Sequence, residues 1–178
     1  MASTRRKPAA SGVVGVEVNG WKLFTHPVFL DQFEALVVEV EEERSKDPAG
    51  YRDKKKTKLL AAILKIAFEV IPRDPADRMF QQGKTLGKEY RHWRRAKFFE
   101  GRFRLFFRYS SAARIIVLAW VNDEETLRTY GSKTDAYAVF QGMLKKNRPP
   151  DDWDALLREA AGGVMRSETL MGKAGKIR

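Results

Sequence analysis

The sequence predicts an α+β domain. Two successive segments carry apolar residues at helical spacing, three strand-like runs follow between Tyr90 and Val121, and a further helical segment closes the pattern. Helices gathered before strands point to a small antiparallel sheet, with an N-terminal helix pair and a C-terminal helix packed on it. A chain of 178 residues, 43% hydrophobic and 32% charged, has the length and composition of one domain with a real core.

Residues 1–16 read as a flexible basic tail, residues 17–153 as the folded domain, and residues 154–178 as a short helix end with a loose C-terminal tail. Val18 to His26 forms a short strand around Trp21, Leu23 and Phe24. Pro27 suits the first turn of a helix, and Phe29, Phe33, Leu36, Val37 and Val40 continue it to about Lys46. Asp47-Pro48-Ala49-Gly50 breaks it. A second helix carries Leu59, Ile63, Ile66, Ala67 and Val70 on one stripe and ends near Ile71-Pro72. Arg73 to Lys88 reads as a loop punctuated by Pro75, Gly83 and Gly87. The strand signals are Tyr90–Phe98, Arg102–Tyr109 and Arg114–Val121; the last is a continuous apolar run, as expected of a central strand covered on both faces. A helix fits Asp135–Lys146 with Thr134 as its N-cap, and Asp151–Glu159 forms another helical segment.

Charge narrows the partners. With 34 Lys and Arg against 23 Asp and Glu, the net charge is +11. Such a field favours a polyanion, because Lys and Arg displace the counterions condensed on phosphates. An anionic membrane or an acidic protein satisfies the same charge. The absence of cysteine excludes disulfides, thiolate metal sites and cysteine nucleophiles, and suits a reducing compartment. No stretch reads as a signal core or a membrane span, so the expected location is the cytoplasm, without membrane association.

The middle hairpin is the most informative stretch. Glu100-Gly101 makes a two-residue turn, since glycine tolerates the positive φ that tight hairpins require. That register sets Lys97 opposite Arg104 and Phe99 opposite Arg102. Alternation then gives a core face of Ala96, Phe98, Phe103, Leu105, Phe107 and Tyr109. The other face holds Arg95, Lys97, Arg102, Arg104 and Arg108, with Phe99 and Phe106 among them. Like charges across a ladder are destabilising, so this is either a solvated surface or a phosphate site. Cations interleaved with aromatic rings suit single-stranded RNA.

His26 and His92 are both read as structural rather than catalytic, with His92 the better candidate base. Asp123-Glu124-Glu125 reads as a helix start rather than a metal site, and no metal or other cofactor is expected. Lys, Arg and Tyr remain. RNA cleaves itself when its 2′-OH is aligned with the neighbouring phosphate and the developing charge is stabilised. Lys97, flanked by Arg95 and Arg104, has its proton disfavoured and so moves toward a usable base. Tyr130, beyond the last strand, is placed to orient or exchange a proton.

The stretches Gly101-Arg-Phe-Arg-Leu-Phe-Phe-Arg-Tyr-Ser, Asn122-Asp-Glu with Thr126-Leu-Arg-Thr-Tyr-Gly, and Lys133-Thr-Asp-Ala-Tyr carry a resemblance. Over residues 19–153 the chain resembles the RelE-like ribonuclease toxins, and more narrowly the YhaV-type toxins that partner a PrlF antitoxin. The resemblance implies a RelE-like fold and metal-independent endonucleolytic cleavage of mRNA, arresting growth by inhibiting translation. It also implies a PrlF-like antitoxin of AbrB-like type, the ribosome as a candidate setting, and operator DNA met only through the antitoxin complex. By the same resemblance Arg95, Lys97, Arg104 and Tyr130 surround the scissile phosphate; the basic hairpin face itself adds Arg102, Arg108 and Phe99 as RNA contacts, with Lys133 beside them. One position departs from the family pattern: a further Arg just past the last strand is replaced by Asn122-Asp123-Glu124. Arg128 is close enough to substitute, and Asp123 or Glu124 is an alternative base. The competing readings are a non-catalytic nucleic-acid binder acting as co-repressor with its antitoxin, and an interaction protein for an acidic partner.

Overall fold

The computed structural model describes residues 15–178, so most of the expected basic tail lies outside the described residues. Val16 already belongs to the fold. Strand β1 (Val16–Val18) turns through Asn19-Gly20 into β2 (Trp21–Thr25). Both turn residues have positive φ, 51° and 79°, which matches the right-handed twist of the strands they join. The expected single strand is therefore a small hairpin.

Helix α1 (Pro27–Lys46) starts on Pro27, where the missing N–H leaves nothing unsatisfied. His26 caps it, its Nδ1 accepting from the Val28 N–H at 3.1 Å. The His26 Nε2 meets Glu159 at 3.2 Å, and burial holds the ring's pKa below its ordinary value against the pull of that carboxylate. The structural reading of His26 fits this geometry. Helix α2 (Lys55–Lys65) runs on through a wider turn at Ile66–Val70 and stops at Pro72. The loop after it contributes one isolated bridge, Gln81 to Arg94.

Strands β3 (Arg94–Phe98), β4 (Phe103–Ser110) and β5 (Ile115–Val121) follow, then α3 (Ala136–Lys145), α4 (Trp153–Ala161) and α5 (Val164–Ile177). The cap of α3 is Asp135, one residue later than expected, accepting from the Tyr137 N–H. The sheet order is β1-β2-β5-β4-β3. It is not wholly antiparallel: β2 runs parallel to β5, with Lys22 beside Ile115 and Thr25 beside Leu118. The N-terminal hairpin thereby extends the sheet on the far side of β5. The central strand is buried on both faces, as its unbroken apolar run requires.

Helices α1, α2 and α5 cover one face, where Phe29, Phe33, Leu60 and Ile63 pack on Leu105, Phe107, Ile116 and Leu118. Helices α3 and α4 cover the other, where Phe140, Leu144 and Leu156 meet Phe106, Val117 and Trp120. Phe106 stacks on Phe140 at 4.2 Å between ring centroids. Two readings are corrected by these layers. Of the second hairpin face, Arg95, Arg104 and Phe106 are buried beneath α3 and α4 rather than solvated, whereas Lys97 remains exposed. Residues 160–178 are not loose: Leu170, Ala174 and Ile177 repeat on one face of α5 and are buried against the first core. Arg166 fastens that helix to α1 through Asp31 at 2.9 Å and Glu34 at 2.6 Å. Four glycines between residues 162 and 175 disguised the helical repeat, and tertiary burial overrides their low propensity.

Candidate active site

The hairpin β3–β4 pairs in the expected register, with Arg95 opposite Phe106, Lys97 opposite Arg104 and Phe98 opposite Phe103. Arg95, Lys97 and Arg104 therefore leave the sheet on one face. That face lies under the first turn of α3, and Arg95 and Arg104 are only 7% and 4% exposed. Their guanidinium groups converge on one oxygen. The Tyr137 Oη accepts from Arg95 Nε at 2.9 Å and from Arg104 Nε at 3.3 Å. Arg95 also donates to the Met79 carbonyl at 2.8 Å, and Arg104 to the carbonyls of Gly101 and Phe103.

Among the described residues neither guanidinium has a carboxylate partner. Buried cations are ordinarily paired, because desolvation penalises an isolated charge heavily. Lys97 stands exposed beside them, and its pKa is held below the ordinary ammonium value, first by Arg95, then by partial burial, Arg104 and Arg128.

The segment after β5 brings the remaining groups. Asn122 is 2% exposed and ties the start of β4 to the segment after β5. Its Oδ1 accepts from the Arg104 N–H at 2.6 Å, and its Nδ2 donates to the carbonyls of Arg102 and Thr126. Asp123 is spent locally, capping the following turn and accepting from Gln32 at 3.2 Å. Neither geometry leaves Asp123 free as a base. The chain then runs beside the hairpin turn, Arg128 N–H donating to the Arg102 carbonyl at 3.0 Å. The Arg128 guanidinium lies 3.8 Å from the Tyr130 ring centroid and 4.8 Å from that of Tyr137. Asp135 anchors it at 2.6 Å. Tyr130 itself is 83% exposed, so it forms a lid-like rim over a buried stack.

Arg95, Lys97, Arg104, Arg128 and Tyr130 are thus brought into one cluster. The other expected contacts separate from it. Arg108 lies four residues further along β4, roughly 13 Å away at strand rise. It sits between Trp93 and Trp153, at 5.6 and 5.3 Å from their ring centroids, and donates to the Asp151 carbonyl. Burial lowers its pKa. Phe99 and Arg102 belong to the turn rather than the strands, and line a cleft beside α2. Lys133 is exposed on the loop before α3. His92 is remote from the cluster, bonded to Asp151 at 2.6 Å, which also accepts from the Trp93 indole. No group of three or more potential metal-ligating side chains occurs among the described residues.

Sequence reasoning missed Tyr137 as the hub. A signal existed: Tyr137, Phe140 and Leu144 share the inward stripe of α3, and a phenol on an inward stripe needs a polar partner.

Residues 23–161 match the family Toxin_YhaV, described as a toxin with endonuclease activity, of a toxin–antitoxin system. The chain is 52% identical over 143 residues to the ribonuclease toxin YhaV of Escherichia coli K12, covering 80% of this chain and 93% of that protein. The toxins YhaV of Escherichia coli O157:H7 and O6:H1 align with the same identity and coverage. No solved structure matches the chain significantly.

Proposed function

The chain belongs to the YhaV toxin family, and on that premise we propose that it is the endoribonuclease toxin of a toxin–antitoxin pair, cutting mRNA at the Arg95–Lys97–Arg104 cluster. The observation that carries the site is the pair of buried guanidinium groups without a carboxylate partner among the described residues, which leaves positive charge for an incoming phosphate. Neutral Lys97 takes the proton from the RNA 2′-OH, whose oxygen attacks the adjacent phosphorus. Arg95, Arg104 and Arg128 stabilise the additional negative charge on the phosphorane oxygens. The P–O5′ bond breaks, Tyr130 returns a proton to the leaving oxygen, and the products carry a 2′,3′-cyclic phosphate and a 5′-OH. No metal takes part in this sequence.

The shared cation pattern on β3 and β4 and the rim tyrosine support kinship with RelE-like toxins. The same kinship supports a PrlF-like antitoxin with an AbrB-like swapped hairpin, the ribosome as the place of cleavage, and operator DNA bound only through the antitoxin complex. A cysteine-free chain acting on mRNA fits the cytoplasm. No helix among the described residues is long and apolar enough to cross a membrane.

Arg104→Ala tests the reading. The variant should keep its circular dichroism spectrum and lose both growth arrest and RNA scission, with and without translating ribosomes. A folded variant with full toxicity overturns the site. Wild-type protein that binds RNA in both settings without cutting it favours the co-repressor reading instead.

A further inference from the structure

A cleft of about 580 Å³ opens between the start of α2 and the β3–β4 turn, on the side of the turn away from Tyr137. Its floor is apolar, made by Leu59, Phe103 and Leu127. Lys55, Lys58 and Arg102 stand around it as cations, and Glu100 and Glu124 as carboxylates. Phe99 forms one wall. Its ring is 41% exposed and meets Phe103 in a T-shaped contact at 6.0 Å.

The backbone holds Phe99 there against its own preference. Phe99, Glu100 and Gly101 have φ of 48°, 57° and 76°, and only the last is a residue at ease in that region. Strain of this kind persists where the surroundings over-determine it and clusters at ligand sites. The turn is also wired to the catalytic cluster: Arg104 donates to the Gly101 carbonyl, while Asn122 and Arg128 both donate to the Arg102 carbonyl. Cleft and cluster are two sides of one turn.

We propose that this cleft is a nucleobase subsite for the RNA strand being cut, with Phe99 as the stacking wall and Lys55, Lys58 and Arg102 on the flanking phosphates. This rests on the ribonuclease reading above. The lining has the three chemistries a nucleotide presents: apolar and aromatic surface for the base face, cations for phosphate, and carboxylates that accept from an exocyclic amine. Glu100 and Glu124 therefore favour adenine, guanine or cytosine over uracil, which has no amine to donate.

The test uses the full chain and 2′-O-methylated single-stranded RNA hexamers, which bind but cannot be cut, with affinity read by fluorescence anisotropy. Phe99→Asn removes the ring while keeping a residue that tolerates positive φ, and should weaken binding on the order of tenfold, the scale of one lost base stack. Phe99→Tyr should restore it, and Lys58→Ala should weaken binding and flatten its salt dependence. An all-uridine hexamer should bind more weakly than an all-adenosine one, and Glu124→Gln should narrow that gap. Wild-type affinity in both Phe99→Asn and Lys58→Ala overturns the subsite, and loss of antitoxin binding in those same variants would reassign the cleft to the antitoxin. Failure of the ribonuclease reading shows separately, as undiminished cutting by Arg104→Ala.

Discussion

Arg104 and Arg108 leave the same face of the same strand, Arg104 buried and Arg108 half-buried. Their surroundings differ completely. Arg108 is clamped between Trp93 and Trp153, donates to the Asp151 carbonyl, and feels the carboxylates of Asp151 and Asp152. Arg104 shares a phenol oxygen with Arg95, another cation, and has no acidic partner among the described residues. Arg108 has two carboxylates nearby, whereas the nearest charge to Arg104 is another cation, and the proposed function gives that unpaired charge to an RNA phosphate. Position in a β-strand does not separate the two arginines, whereas the company each keeps does.

The largest expected contrast comes from Arg104→Lys. It keeps the charge but loses the Nε donor to Tyr137 and the rigid fork, so the RNA cleavage rate should fall by about 10²–10³. A fall below tenfold would mean that charge alone suffices. Tyr137→Phe comes next: it deletes the oxygen that holds Arg95 and Arg104 in register, and single-turnover cleavage should drop on the order of 10²-fold while RNA affinity changes little. Arg108→Ala should do the reverse, lowering unfolding free energy by about 2–3 kcal/mol in urea titrations while cleavage stays within a few-fold.

The pH profile sharpens the same contrast. Arg95 disfavours the protonated form of Lys97, so the rising limb of activity should lie below the ordinary lysine value of 10.5. Replacing Arg95 with Gln removes the largest cause and should move the residual activity's limb to higher pH; an unmoved limb removes Lys97 as the base. The smallest effect is expected from His92→Ala, an exposed pair with Asp151, at under about 1 kcal/mol of stability and unchanged cleavage.

Much of this was legible before the fold was in view. The Glu100-Gly101 turn and side-chain alternation correctly set Lys97 against Arg104, because local periodicity fixes both. What lay over that face was not legible: α3 begins some thirty residues after the turn, and only tertiary packing brings Tyr137 onto Arg95 and Arg104. The solvated-surface alternative fails for Arg95 and Arg104 for that reason. Phe99 and Arg102 were assigned to the cluster's face by extending strand alternation into residues that belong to the turn, where it no longer holds. Residues 160–178 looked unstructured because helix propensity is local, while burial of Leu170, Ala174 and Ile177 is not.

The parallel pairing of β2 with β5 sets the order in which the chain can fold. Lys22 and Ile115 are neighbours in the sheet but about ninety residues apart in the chain. Closing so long a loop carries an entropic penalty before any contact rewards it, and such non-local pairings slow folding. The N-terminal hairpin has no sheet to join until the central strand has been synthesised, and Asn122, which pins the β3–β4 hairpin to the segment beyond β5, arrives later still. The Arg95–Arg104 cluster waits on the chain as well, since Tyr137, which holds both arginines, follows the β3–β4 turn by more than thirty residues: a late-arriving phenol completes an arrangement that the strands alone leave open.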